Sequence, residues 1–166
     1  MSVYVVDSNF FIEAHRRSYP LDVATGFWAK VKQLADQGTI LSIDKVKHEI
    51  FKKEDALKDW CEQNLDPGFF RDSGDSLAKY AEVIRWASSM ATHYKPSALL
   101  EFLDADEADA WLVAFSLVEP NERIIVTYEV SDPNNRKKIK ISEACVSCGA
   151  QYINPIEMFR RLGERF

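Results

Sequence analysis

Between residues 104 and 115 the chain reads D-A-D-E-A-D-A-W-L-V-A-F. Asp104, Asp106, Glu107 and Asp109 crowd together and run straight into an apolar stretch. Two chemistries fit such a pattern. Carboxylates at a helix start satisfy free amides and complement the helix dipole. Carboxylates that meet others from elsewhere in the chain can hold a hard divalent cation. The spacing divides the four. Asp104 as N-cap, with Glu107 three residues on, makes a capping box in which Asp replaces Ser or Thr. Asp106 would sit in the first turn, where the dipole favours it. Asp109 has no such role. It falls in the predicted second turn beside a core-facing Ala-Trp-Leu, where a carboxylate costs free energy unless hydrated, paired or metal-bound. Asp106, three residues earlier, would share its helix face.

Other acids stand at the ends of apolar strands. V-Y-V-V (residues 3–6) reads as a buried strand and ends in Asp7; R-I-I-V-T (123–127) is a second and is followed by Glu129. In an open parallel sheet, sites form beyond the carboxyl ends of the strands, where strand order reverses. Asp7 and Glu129 would then share a crevice if their strands are central neighbours. Glu49, flanked by Val46 and Ile50 and surrounded by Lys47, His48, Lys52 and Lys53, reads by itself as a solvated helix-face acid.

The elements that must position these residues alternate. Helices are predicted at about 9–17, 22–37, 44–51, 56–64, 75–94, 104–118, 142–148 and 155–162. The 22–37 helix would bury Val23, Phe27, Val31 and Leu34. The 75–94 helix would bury Leu77, Tyr80, Ala81, Ile84, Ala87 and Ala91. Asp44 would cap the 44–51 helix. Strands are predicted at 3–6, 39–43, 123–127 and 151–153, with a very short one at Phe69-Phe70, and 95–103 is a connection. Apolar strands between amphipathic helices predict an α/β fold with a parallel sheet covered on both faces. With no repeat, low-complexity tract or linker, the 166 residues read as one domain.

Hydrophobic residues make up 46% and charged residues 28% of the chain, which fits a folded globular protein rather than a disordered one. No signal peptide and no apolar run of membrane-spanning length is evident, so the expected location is the cytoplasm. A formal charge of -5 argues against broad adhesion to nucleic acid, but a carboxylate-built site is itself acidic. Cys61, Cys145 and Cys148 are expected to be reduced thiols, with the C-x-x-C pair on one inward face of a short helix rather than in a zinc site. His15, His48 and His93 are isolated from one another and read as surface or packing residues.

Taken in order, V-Y-V-V-D-S-N-F-F, D-K-V-K-H-E-I-F, Asp109 before A-W-L-V-A-F, and the strand end V-T-Y-E resemble the PIN-domain family of metal-dependent ribonucleases, which includes VapC-type toxins. The stretches K-I-K-I-S-E-A-C and N-P-I-E-M-F look most like a PIN-like branch of small prokaryotic proteins, so the resemblance spans nearly the whole chain. It implies a three-layer α/β/α domain with a central parallel sheet in order 3-2-1-4-5. It implies that Asp7, Glu49 and Asp109 are a catalytic, metal-holding triad, and that Glu129 stands where the family usually has Asp, with Asp132 as a rival. Asp106 would be an extra acid at the edge, and Asn9 and Thr127 supporting polar groups. The cofactor would be Mg²⁺ or Mn²⁺, and the reaction attack of a metal-activated water on an RNA phosphodiester. Backbone contacts would come from Arg16, Arg17, Arg136, Lys137 and Lys138, with Lys140; a solvated loop is the competing view of the last four. The partners implied are RNA, a cognate antitoxin protein and a second copy of the chain, with no membrane. The alternative is an inert PIN-like binding or scaffold module. An aspartyl-nucleophile phosphatase is disfavoured, because Asp7-Ser8-Asn9 lacks the second acid of a D-x-D pair.

Overall fold

The computed structural model describes residues 1–166. The chain runs β1 (Val3–Val6), α1 (Ser8–Glu13), a π-helical turn (Ala14–Ser18), α2 (Thr25–Asp36), β2 (Ile40–Ile43), α3 (Asp44–Phe51), α4 (Ala56–Asn64) and β3 (Phe70–Arg71). It continues through α5 (Leu77–Ser89), α6 (Pro96–Leu103), α7 (Ala108–Val118), β4 (Arg123–Val126), α8 (Ile141–Cys148), β5 (Gln151–Ile153) and α9 (Pro155–Leu162). The five strands form one parallel sheet in the order β3-β2-β1-β4-β5, flanked by helices.

Parallel strands covered on both faces need apolar side chains on both. β1 and β4 meet that need, since Val5, Val6, Ile125 and Val126 are all fully buried. They pair directly, Val6 opposite Val126, so the two chain ends leave the sheet side by side. Ser42 ties β2 to β1 by donating its hydroxyl to the Val6 carbonyl at 2.6 Å. The 41 buried hydrophobic residues belong to a single cluster.

α7 lies at the centre, against β4, α3, α5 and α8. Nine of its eleven residues are buried; only Asp109 and Val118 are not. Such all-round apolar character marks a core helix rather than a surface one. At its start the Trp111 indole stacks on Tyr80 with centroids 3.8 Å apart and donates its N–H to the Ala105 carbonyl.

Most predicted elements are present, with four differences. First, α7 begins at Ala108 rather than Asp104. The segment expected to be a connection is α6, with Pro96 in its first turn and Ala98 and Phe102 on its buried side. Proline at a helix start supplies a fixed φ where the missing N–H is harmless. Second, Asp104 therefore closes α6 instead of capping α7, and Asp104 and Glu107 form no capping box. Third, α5 is shorter and buries Val83 and Ala87, while Leu77 is 62% exposed and Ala81 and Ala91 face solvent. Ala87 is buried as expected and Tyr80 and Ile84 pack half-buried against the core, but the face centres on Val83. Fourth, Val23 lies in a turn before α2 and is 75% exposed, and Asp44 is the first residue of α3 rather than its cap.

Leu112, fully buried in the middle of α7, tests the centrality of that helix. Leu112→Ala should cost about 2–5 kcal/mol in urea denaturation. A loss under about 1 kcal/mol would mean that α7 is not a core helix.

Candidate active site at the carboxyl edge of the sheet

The site begins with the β1–β4 pair. Asp7 follows β1 directly and is the N-cap of α1, where its Oδ1 accepts the Phe10 amide at 2.8 Å. Phe10 and Phe11, both fully buried and packed edge to face, fix that first turn in the core. Asp7 is itself only 2% exposed, and its Oδ2 is buried with no hydrogen-bond partner. Next to it, β4 is followed by Thr127, also buried, whose Oγ1 accepts the Glu129 amide at 3.1 Å.

Glu49 arrives from α3. Val46 and Ile50 turn inward, and Glu49, one turn after Val46, lies at the edge of that buried face. Its Oε2 accepts the Ser8 hydroxyl at 2.7 Å, and its Oε1 accepts the Ala108 amide, the first of α7, at 3.1 Å. Glu129 makes the corresponding contact with another helix. Its Oε2 accepts the Ile141 amide, the first of α8, at 2.8 Å, and its Oε1 pairs with the Lys138 ammonium at 3.2 Å. Asp109 stands in the first turn of α7, partly buried, in a narrow crevice with Glu101, Glu107 and Lys138.

The charges act on one another. Burial pushes the Asp7 carboxyl up to about 7; the Thr127 hydroxyl and the Phe10 amide oppose that rise, and Glu129 and Glu49 add to it. Burial also holds Asp109 well above the ordinary carboxylate range, helped by Glu129, Glu49 and Asp7 and opposed by Lys138. Burial lowers Lys138, but Glu129 and Asp109 outweigh it, so its net shift is upward. Asp7, Glu49, Asp109 and Glu129 thus form one electrostatic group, although no three acid, His or Cys side chains converge at metal-ligand separation. All four are oxygen donors, the type a hard cation takes, and Asp7 Oδ2 is a buried oxygen left open.

The other sequence candidates are placed less centrally. Asp106 is exposed in the α6–α7 turn, where its amide bonds Asp104 Oδ1 at 2.9 Å, so it does not share a helix face with Asp109. Asp132 is exposed, with its amide held by Glu143. Asn9 is partly buried in the first turn of α1. Arg16 and Arg17 are exposed on the π-helical turn, Arg17 paired with Glu13. Arg136 bonds the His93 carbonyl, and Lys137 faces solvent. Lys140 bonds the Val130 carbonyl. Cys145 is buried and Cys148 half-buried on α8, both as free thiols raised by burial.

Nothing in the sequence marks Ser8 or the Ala108 and Ile141 amides as participants, and Lys138 takes a partner its loop position does not announce. Ser8 follows Asp7 but binds Glu49, 41 positions away. The Ala108 and Ile141 amides are helix starts, which became acceptor sites only once Glu49 and Glu129 were folded onto them. Lys138, expected among the outward cations, pairs inward with Glu129 across a nine-residue separation.

The fold and site define an α/β protein with a carboxylate-lined crevice at the carboxyl edge of a parallel sheet. Residues 4–166 match the family described as "Domain of unknown function (DUF4411)", and the chain belongs to that family. No curated protein matches the sequence. No helix is long and apolar enough to cross a membrane.

The acids should differ in what they do to stability. Asp7 folds with a carboxyl at about 7 against an ordinary value of 3.8, so folding takes up a proton between those pH values. That contribution is fully present below the lower value and lost as pH rises through the upper one. Asp7→Asn retains an N-cap acceptor and removes the buried charge. In chelator, it should gain about 2 kcal/mol more over wild type at pH 8 than at pH 5 by urea denaturation. An equal difference at both pH values would overturn the assignment of a buried, proton-binding Asp7. Glu49→Ala should act in the opposite direction. Loss of the Ala108 contact should lower stability by about 1–2 kcal/mol in the same assay, and an unchanged midpoint would show that Glu49 does not hold α7.

Proposed function

We propose that this protein is a metal-dependent endoribonuclease of the PIN-like kind, acting as the toxin of a type II toxin–antitoxin pair. The observation that carries this reading is the buried, partnerless Asp7 Oδ2, lying within the field of Glu49 and Glu129. A buried oxygen without a donor costs about 1–3 kcal/mol, and repulsion from neighbouring carboxylates adds to that. A hard cation would take up such an open oxygen. The sheet order and the sequence order of the four acids agree with the PIN-like resemblance.

Asp7, Glu49, Asp109 and Glu129 would hold Mg²⁺ or Mn²⁺, and Asp106 would remain at the rim. Such an ion supplies charge stabilisation to a phosphodiester and makes water a stronger nucleophile. The chain's own groups do the rest. Asp7 and Glu129 are oriented by the Phe10 and Ile141 amides, and the Thr127 hydroxyl favours the charged form of Asp7. Arg16, Arg17, Arg136 and Lys137 offer exposed cations to an RNA backbone, an interaction that weakens with salt. An antitoxin would act by covering the carboxyl edge of the sheet.

The test compares wild type with Asp7→Asn and Asp109→Asn on mixed RNA, with Mn²⁺ or with chelator. Wild type should cleave only with metal, and each variant should be at least about 100-fold slower. Expression of the wild type alone should arrest growth. Equal cleavage by all three proteins, or cleavage in chelator, would overturn the proposed site. No cleavage together with no Mn²⁺ binding by calorimetry would instead mark an inert module.

A further inference from the structure

Lys138 lies among carboxylates rather than among the outward-facing cations of its loop. Its ammonium is 3.2 Å from Glu129 Oε1, with side chains 43% and 11% exposed respectively. It also borders the crevice that holds Asp109 and Glu101. The base of its side chain is fixed, because the Lys138 amide donates to Asn135 Oδ1 at 3.1 Å. Glu129 has little freedom either. Its Oε2 is committed to the first amide of α8, which leaves Oε1 as the oxygen a cation could take, and Lys138 holds it.

We propose that Lys138 is a built-in competitor for the divalent cation: its ammonium and the ion are alternative partners of Glu129 Oε1, and loading the ion releases the ammonium to solvent. This rests on the metal-site reading of the four acids. The exchange is physically simple. A lysine is a hydrated point charge on a flexible stem, so it can leave by side-chain rotation with the backbone in place. A half-exposed ammonium–carboxylate pair contributes little, whereas a divalent ion draws on several carboxylates at once. The ion therefore wins once it is concentrated enough, and Lys138 sets that threshold.

Two measurements test this. Calorimetric titration with Mn²⁺ compares wild type with Lys138→Met, which keeps the stem and removes the charge. The variant should bind at least about tenfold more tightly. The second uses the wild-type chain alone, so it does not depend on the variant folding. A water-soluble acylating ester is applied with and without saturating Mn²⁺, and modification of Lys138 and Lys137 is read by peptide mass spectrometry. Mn²⁺ should speed acylation of Lys138 several-fold relative to Lys137. Equal or weaker Mn²⁺ binding by Lys138→Met, or slower acylation of Lys138 with Mn²⁺, would overturn the competition while leaving the metal site standing. Mn²⁺ binding by neither protein would remove the metal-site reading and this inference with it.

Discussion

Four carboxylates cannot share one edge of a sheet unless something positive is set among them. Here that role falls largely to helix N-termini. Asp7 sits on the first turn of α1, Glu49 on the first amide of α7 and Glu129 on the first amide of α8. Each of these helix starts has unsatisfied amides and the positive end of a dipole. The acids and the helices therefore stabilise one another, and the convergence of helix starts on the carboxyl edge makes an acidic crevice tolerable. Lys138 supplies the remaining charge.

The compensation is incomplete, and the shortfall is concentrated in Asp7 and Asp109. Their carboxyls are pushed upward mainly by burial. Glu49 and Glu129 have both oxygens engaged; Asp7 keeps one open. Asp7 thus caps α1 with one oxygen and leaves the other open, whereas Glu49 and Glu129 hold α7 and α8 with both oxygens engaged.

Much of this was legible in the residues themselves. Buried strands announce themselves as β-branched runs, so β1, β2 and β4 were found with small boundary errors, and Asp7 and Glu129 were located by following strands to their ends. Asp109 was found because a carboxylate inside an apolar helix pattern has no cheap explanation. The reason given for it was partly wrong. A helix start at Ala108 puts Asp109 in the first turn, and the capping box drawn through Asp104 and Glu107 dissolves once α6 is recognised. Local patterns place the acidic run beside the right helix but take Asp104, the C-cap of α6, for the N-cap of α7, which is Glu107, because Asp104 can end one helix as readily as begin another.

Sequence alone determined which residues were apolar enough to become strands and core helices, and which acid stood where an acid is costly. It did so because those signals are local, carried by periodicity and by the desolvation cost of single side chains. Only the tertiary structure decided that Glu49, to all local appearance a solvated surface acid, turns inward onto Ser8 and α7. It also decided that Lys138 pairs with Glu129 rather than facing solvent. Those outcomes depend on distant segments meeting at the end of the β1–β4 pair, and no spacing within either segment encodes the meeting.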